Sequence, residues 1–116
     1  MAITHQVFVV PSAIAIGLPD EQLVLCIEVL ERAGLKVHRA DPEAACERMT
    51  KLLPQIVAVR RELAADLREM IDDRAVAVGA IVAELDANQD FASIEKSLDE
   101  ALAAARAARG RSPRSA

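Results

Sequence analysis

Apolar positions along the chain recur with two spacings, and the alternation between them lays out the elements. Val7-Phe8-Val9-Val10 is a short unbroken apolar run, the pattern of a strand covered on both faces. "LKVHRA" alternates apolar and polar, which predicts a second strand from Leu35 to Ala40, near a sheet edge. Gln55 to Val59 predicts a third strand, and "AVAVGAIV", residues 75–82, a fourth. Between them the spacing widens to the helical period. Leu23, Ile27 and Leu30 form one stripe with Val24 and Cys26 beside it; Cys46, Met49 and Leu53 form a second. Leu63, Leu67, Met70 and Ile71 form a third, and Phe91, Ile94, Leu98 and Leu102 a fourth, on a long helix reaching Arg109.

The punctuation agrees with this order. Pro19, Asp20 and Glu21 suit the first turn of a helix, Gly34 a helix stop, and Asp41-Pro42-Glu43 a second helix start. Two readings of the segment after Arg61 compete. A helical stripe can be drawn from Leu63 through Leu85, giving one long helix. The β-branched content of residues 75–82, and Gly79 within them, favours the strand. The connection "PSAIAIGLP" reads as a loop of unusual apolarity.

Strand and helix alternation predicts an α/β fold of three layers. A mainly parallel four-stranded sheet, ordered 2-1-3-4, carries helices on both faces, with functional residues outside the C-terminal strand ends. The chain of 116 residues reads as one domain over residues 1–109, with 110–116 a disordered tail.

Composition narrows the function. A net charge of −4 gives no overall field to attract a phosphate backbone, and two aromatic residues, Phe8 and Phe91, supply no stacking platform for single strands. Nucleic acid is therefore not an expected partner. No apolar run approaches the ~20 residues of a membrane span, and the N-terminus lacks a basic leader region, so a cytoplasmic protein is expected. Cys26 and Cys46 lack redox spacing and read as reduced thiols on apolar helix faces. No glycine-rich phosphate motif follows the first strand, and His5 and His38 have no metal-ligand spacing, so no cofactor or metal is expected.

"VFVV" and "LERAGLKVHRADPEAACERMTKLLPQIVAV" resemble the first strand and the helix–strand–helix–strand core of the receiver domain of bacterial response regulators, a flavodoxin-like fold. The resemblance spans about Val7 to Val82 and carries no invariant motif. It implies a fifth strand, which this chain lacks. In that family the first strand ends in acids that hold a divalent cation, the third in the phosphate-accepting Asp, and the fourth in a hydroxyl residue. Here Pro11 and Ser12 follow the first strand, Arg60 stands in the acceptor position, and Gly79 and Ala80 fall where the hydroxyl belongs.

The candidate residues follow from that placement. Arg60 and Arg61 have three open readings: solvated residues opening a helix, an internal pair with Asp20, Glu21 or another acid, or a site with Ser12 for an external carboxylate or phosphate. Ile14, Ile16 and Leu18 either fold over the sheet or form an exposed patch for a partner. Ala104 lies on an alanine-rich helix that can pack on a partner or on its twin. The sequence points to a non-catalytic receiver-like domain acting by protein–protein interaction in bacterial signalling or protein localisation, with a homodimer through the fourth strand and last helix. A small-ligand-binding regulatory domain and a subunit of a shared-site enzyme are the alternatives.

Overall fold

A computed structural model describes residues 10–110, with side chains through residue 108. In chain order the elements are β1 (Ser12–Ile16), α1 (Asp20–Arg32), β2 (Lys36–Ala40), a 3-10 turn (Pro42–Ala44), α2 (Ala45–Leu52), β3 (Ile56–Arg60), α3 (Ala65–Val78), β4 (Ile81–Leu85) and α4 (Phe91–Gly110). The strands form one parallel sheet ordered β2-β1-β3-β4. Helices α1 and α4 pack together on one face of the sheet and α2 and α3 on the other. The expected three-layer α/β architecture and strand order are present.

The two faces divide side-chain volume differently. Ala13, Ala15, Ala58 and Ala83 point toward α1 and α4, where Leu30, Ile94, Leu98 and Leu102 supply the bulk. Ile14, Ile16, Val57 and Val59 point the other way and meet Ala45 and Ala75, with Met49 and Ile71 filling between. Small residues face large ones across both interfaces, which is what close packing in low-energy rotamers requires.

The first strand is not where the apolar run suggests. Residues 7–9 lie outside the described residues, and Val10 is exposed. The segment read as a loop, "SAIAI", is β1, and all five of its residues are buried. A central parallel strand is covered on both faces, so its alternation is one of volume, Ala against Ile, with no polar signal. Ile14 and Ile16 are fully buried and Leu18 nearly so; they are core, not an exposed patch.

The fourth strand is displaced too, and neither reading of residues 61–85 holds. Helix α3 runs to Val78 and stops at Gly79, whose φ of 76° lies in the left-handed region that favours glycine. Ala80 N–H donates to Ala75 O at 2.9 Å, closing the helix with the double bond pattern that commonly follows such a glycine. The glycine that argues against a helix interior is the helix terminator, and the strand begins two residues later. Helix α1 ends the same way, with Gly34 at φ 95° and Leu35 N–H on Leu30 O at 3.0 Å.

Three residues read as inward-facing are exposed: Leu53, Met70 and Phe91. Leu53 caps α2 in the left-handed conformation at φ 50°, which turns it out of the stripe. Asp41 makes no side-chain cap bond, because a 3-10 turn stands between it and α2. Asp72 lies within α3 and accepts from Arg68 Nε at 2.8 Å. Helix α4 is capped by Asp90, whose Oδ1 accepts from Ser93 N–H at 2.8 Å.

Because Ile16 is fully buried in the central strand, Ile16→Ala is expected to cost about 2–5 kcal/mol. Urea denaturation checks this; a cost below about 1 kcal/mol would return the segment to a surface loop.

Candidate functional site

In an open parallel sheet the crevice outside the C-terminal strand ends, where strand order reverses, is the usual ligand site. Here it lies between the ends of β1 and β3. Gly17 follows β1 at φ 69°, and a Cβ built on it would sit 3.3 Å from Pro42 Cγ, 3.5 Å from Leu63 Cδ2 and 3.9 Å from Arg60 Cβ. Pro42 comes from the connection after β2, and Leu63 and Arg60 from the end of β3 and the loop beyond it. Three segments thus close over the glycine.

Beside this closure runs a chain of ion pairs. Arg60 Nε donates to Glu62 Oε1 at 3.4 Å. Arg61 Nε donates to Glu84 Oε1 at 3.3 Å and its Nη1 to Asp86 Oδ2 at 3.4 Å. Arg68, on α3, donates to Glu84 and, at 2.8 Å, to Asp72. The Arg68 hydrogen bond to Glu84 is the main reason that the Glu84 carboxyl titrates below its ordinary value. Asp86 is also held low, first by the Asn88 backbone N–H that its Oδ1 accepts at 2.9 Å. Arg60 therefore makes an internal pair with another acid, its neighbour Glu62, rather than with Asp20 or Glu21.

The connection from β4 to α4 is fixed from three sides. Glu62 accepts from Ala87 N–H at 3.3 Å. Gln22, buried in the first turn of α1, donates through Nε2 to Asp86 O at 2.8 Å and to Ala87 O at 3.4 Å. Gln89 Oε1 accepts from Asp86 N–H at 2.9 Å. The residue that opens α1, Pro19, has no N–H, so Gln22 has no reciprocal capping bond to make and reaches across to the loop instead. Its Oε1 is left without a partner.

The remaining predicted residues do not join this cluster. Ser12 starts β1 at the opposite end of the sheet from Arg60, and its buried hydroxyl has no partner among the described residues. A shared Ser12–Arg60 anion site is thereby ruled out geometrically: displacing the first strand moved Ser12 from its far end to its beginning. Ala104 is exposed on α4. Cys26 is fully buried and burial pushes its thiol up to about 12; Cys46 is half-buried, its Sγ directed at Met70 O at 3.5 Å. Among the described residues no three His, Cys, Asp or Glu side chains converge as a metal site, and no helix is long and apolar enough to cross a membrane.

Sequence reasoning missed Gln22, Glu62, Glu84 and Asp86. Glu84 and Asp86 were visible only once β4 was placed correctly. Sequence reasoning also missed a patch on the other side of the strand ends. Val24 and Phe91 are more than half exposed, and with Leu25, Glu21 and Glu28 they line an open hollow of about 330 Å³.

No protein-family model and no curated protein matches the sequence. Among solved structures the chain is similar to a de novo designed Rossmann 2x3 fold protein determined by solution NMR. The TM-score is 0.61 at 14% identity, over 80% of this chain and 90% of the designed one. The fold is Rossmann-like. That likeness concerns backbone architecture alone, and strand order 2-1-3-4 is the one also found in flavodoxin-like sheets.

Gly17→Ala is expected to destabilise the domain by about 1–3 kcal/mol, since it adds left-handed strain to a contact already tight against Pro42. Thermal denaturation reads the effect. An unchanged midpoint would mean that the crevice is open enough to admit a side chain.

Proposed function

We propose that this chain is a non-catalytic, receiver-like domain that works by contact with other proteins, in signalling or in protein localisation. The observation that carries the reading is the closure of the switch-point crevice over Gly17 by Pro42, Leu63 and Arg60. A receiver needs that space for a divalent cation and a phosphoryl group. Its acids would follow β1, where Gly17 and Leu18 stand; its acceptor would end β3, where Arg60 stands. The hydroxyl position, read from sequence as Gly79 and Ala80, moves to the end of β4 and falls on Leu85 and Asp86. A guanidinium cannot accept phosphate, and two carboxylates held by Arg61 are not free to share a metal.

With the crevice closed, the exposed apolar surface becomes the working surface. Val24 and Phe91 stand out beside Leu25, rimmed by the carboxylates of Glu21 and Glu28. An apolar anchor with basic residues beside it is the complementary partner chemistry.

Incubation with acetyl phosphate, or with beryllium fluoride and Mg²⁺, should leave the intact mass and the amide NMR spectrum unchanged. A stoichiometric adduct on Asp86, or on any other acid at the strand ends, would overturn the reading.

A further inference from the structure

Every backbone group at a sheet edge needs a partner, and the two edges of this sheet meet that need differently. Edge strand β2 presents Lys36 and Arg39 to solvent, charges that discourage another strand from approaching. Edge strand β4 is "IVAEL", with one charge, and that charge is neutralised by Arg61 and Arg68. The bonds to β3 show which groups remain. Ile81 N–H donates to Gln55 O at 2.9 Å, and Leu85 O accepts from Arg61 N–H at 2.8 Å. Residues 81, 83 and 85 therefore turn toward β3, and the N–H and C=O of Val82 and Glu84 turn outward. The next outward donor, Asp86 N–H, is already taken by Gln89. The open edge is two residues long.

Its surroundings are open and partly apolar. On the α3 side Arg68 reaches Glu84. Val76 is 79% exposed. A hollow of about 400 Å³ is lined from the α4 side by Gln89 and Ser97 and from the β3 side by Arg61, with Glu84 and Asp86 of the strand itself. Neither α3 nor α4 closes over the strand end.

We infer that a second copy of this chain pairs with β4, antiparallel, about a two-fold axis through Ala83. This rests on reading the chain as an interaction domain. In that register Val82 of each copy stands opposite Glu84 of the other, and each such pair exchanges both of its hydrogen bonds. All the outward groups are thereby satisfied. Ala83 meets its twin where side chains approach most closely, and a methyl group is the side chain that fits under α4. Each Glu84 enters with its own two guanidiniums, so the two carboxylates do not repel.

Sedimentation velocity of the full chain at tens of micromolar is expected to give two chain masses. Val82→Pro removes an outward donor and leaves the β3 ladder intact; it should give one chain mass with unchanged far-UV circular dichroism. If that variant loses its far-UV signal, hydrogen exchange of the unmodified chain carries the same test: the outward amides of Val82 and Glu84 should be protected. Ala83→Cys in a Cys46→Ser background should form a disulfide-linked dimer on mild oxidation, because directly opposed residues of this pair type lie within disulfide reach. A single chain mass for the unmodified protein, fast exchange of the Val82 and Glu84 amides, or no cross-link through Ala83→Cys would each overturn the pairing. A monomer inert to phosphoryl donors would remove self-pairing and leave the interaction-domain reading; a phospho-adduct on a dimer would do the reverse.

Discussion

Volume complementarity across the two faces of the sheet is the constraint on which the other features depend. The central strands β1 and β3 carry alanine on the α1–α4 side and Ile or Val on the α2–α3 side, with Ile56 the exception. The shallow side lets α1 and α4 settle close to the sheet, so Leu30, Ile94, Leu98 and Leu102 fill the layer. The deep side is met by small residues on α2 and α3. A larger residue at Ala15 or Ala58, both essentially inaccessible, would have to displace a helix.

The same packing determines what the strand ends can do. The loops after β2 and β3, which lead into α2 and α3, come over the end of β1, and a Cβ on Gly17 would sit 3.3 Å from Pro42 and 3.5 Å from Leu63. The ion pairs beyond are exposed enough that their contribution to stability is small, about 0–1 kcal/mol each. Their role is geometric: Arg61 ties the end of β3 to the end of β4, and Glu62 and Gln22 fix the turn that launches α4. The result is a strand-end surface tied together by ion pairs, with a hollow of about 400 Å³ beside Arg61, Glu84 and Asp86. Gln22 shows the cost of that arrangement, since its carbonyl oxygen is buried without a partner in order to hold the loop.

Much of the fold was legible in the sequence. The helix start at Pro19-Asp20-Glu21 and the stop at Gly34 carry local chemistry that tertiary context does not override. The order 2-1-3-4 follows from strand–helix alternation and right-handed crossovers. The errors have a common cause. β1 has no polar residue after Ser12, so no polarity pattern marks it, and the more β-branched run before Pro11 drew the assignment. Gly79 was weighed as an interruption when it was a terminator, because the left-handed φ that distinguishes the two is a property of the backbone. The site inherited both errors. Ser12 seemed a neighbour of Arg60 only while β1 ended before it, and Asp86 was hidden while β4 was drawn too early. Arg60 and Arg61 were legible as strand-end residues, but their partners lie on β4 and in the loops, at separations no local pattern reports.

The central claim is that residues 12–16 form the buried inner strand and pair on both sides. Native-state hydrogen exchange tests it residue by residue. The amides of Ala13 to Ile16 should exchange as slowly as those of Ile56 to Val59, by global unfolding alone. Fast exchange at Ala13 to Ile16, with protection confined to β3 and the helices, would contradict the account.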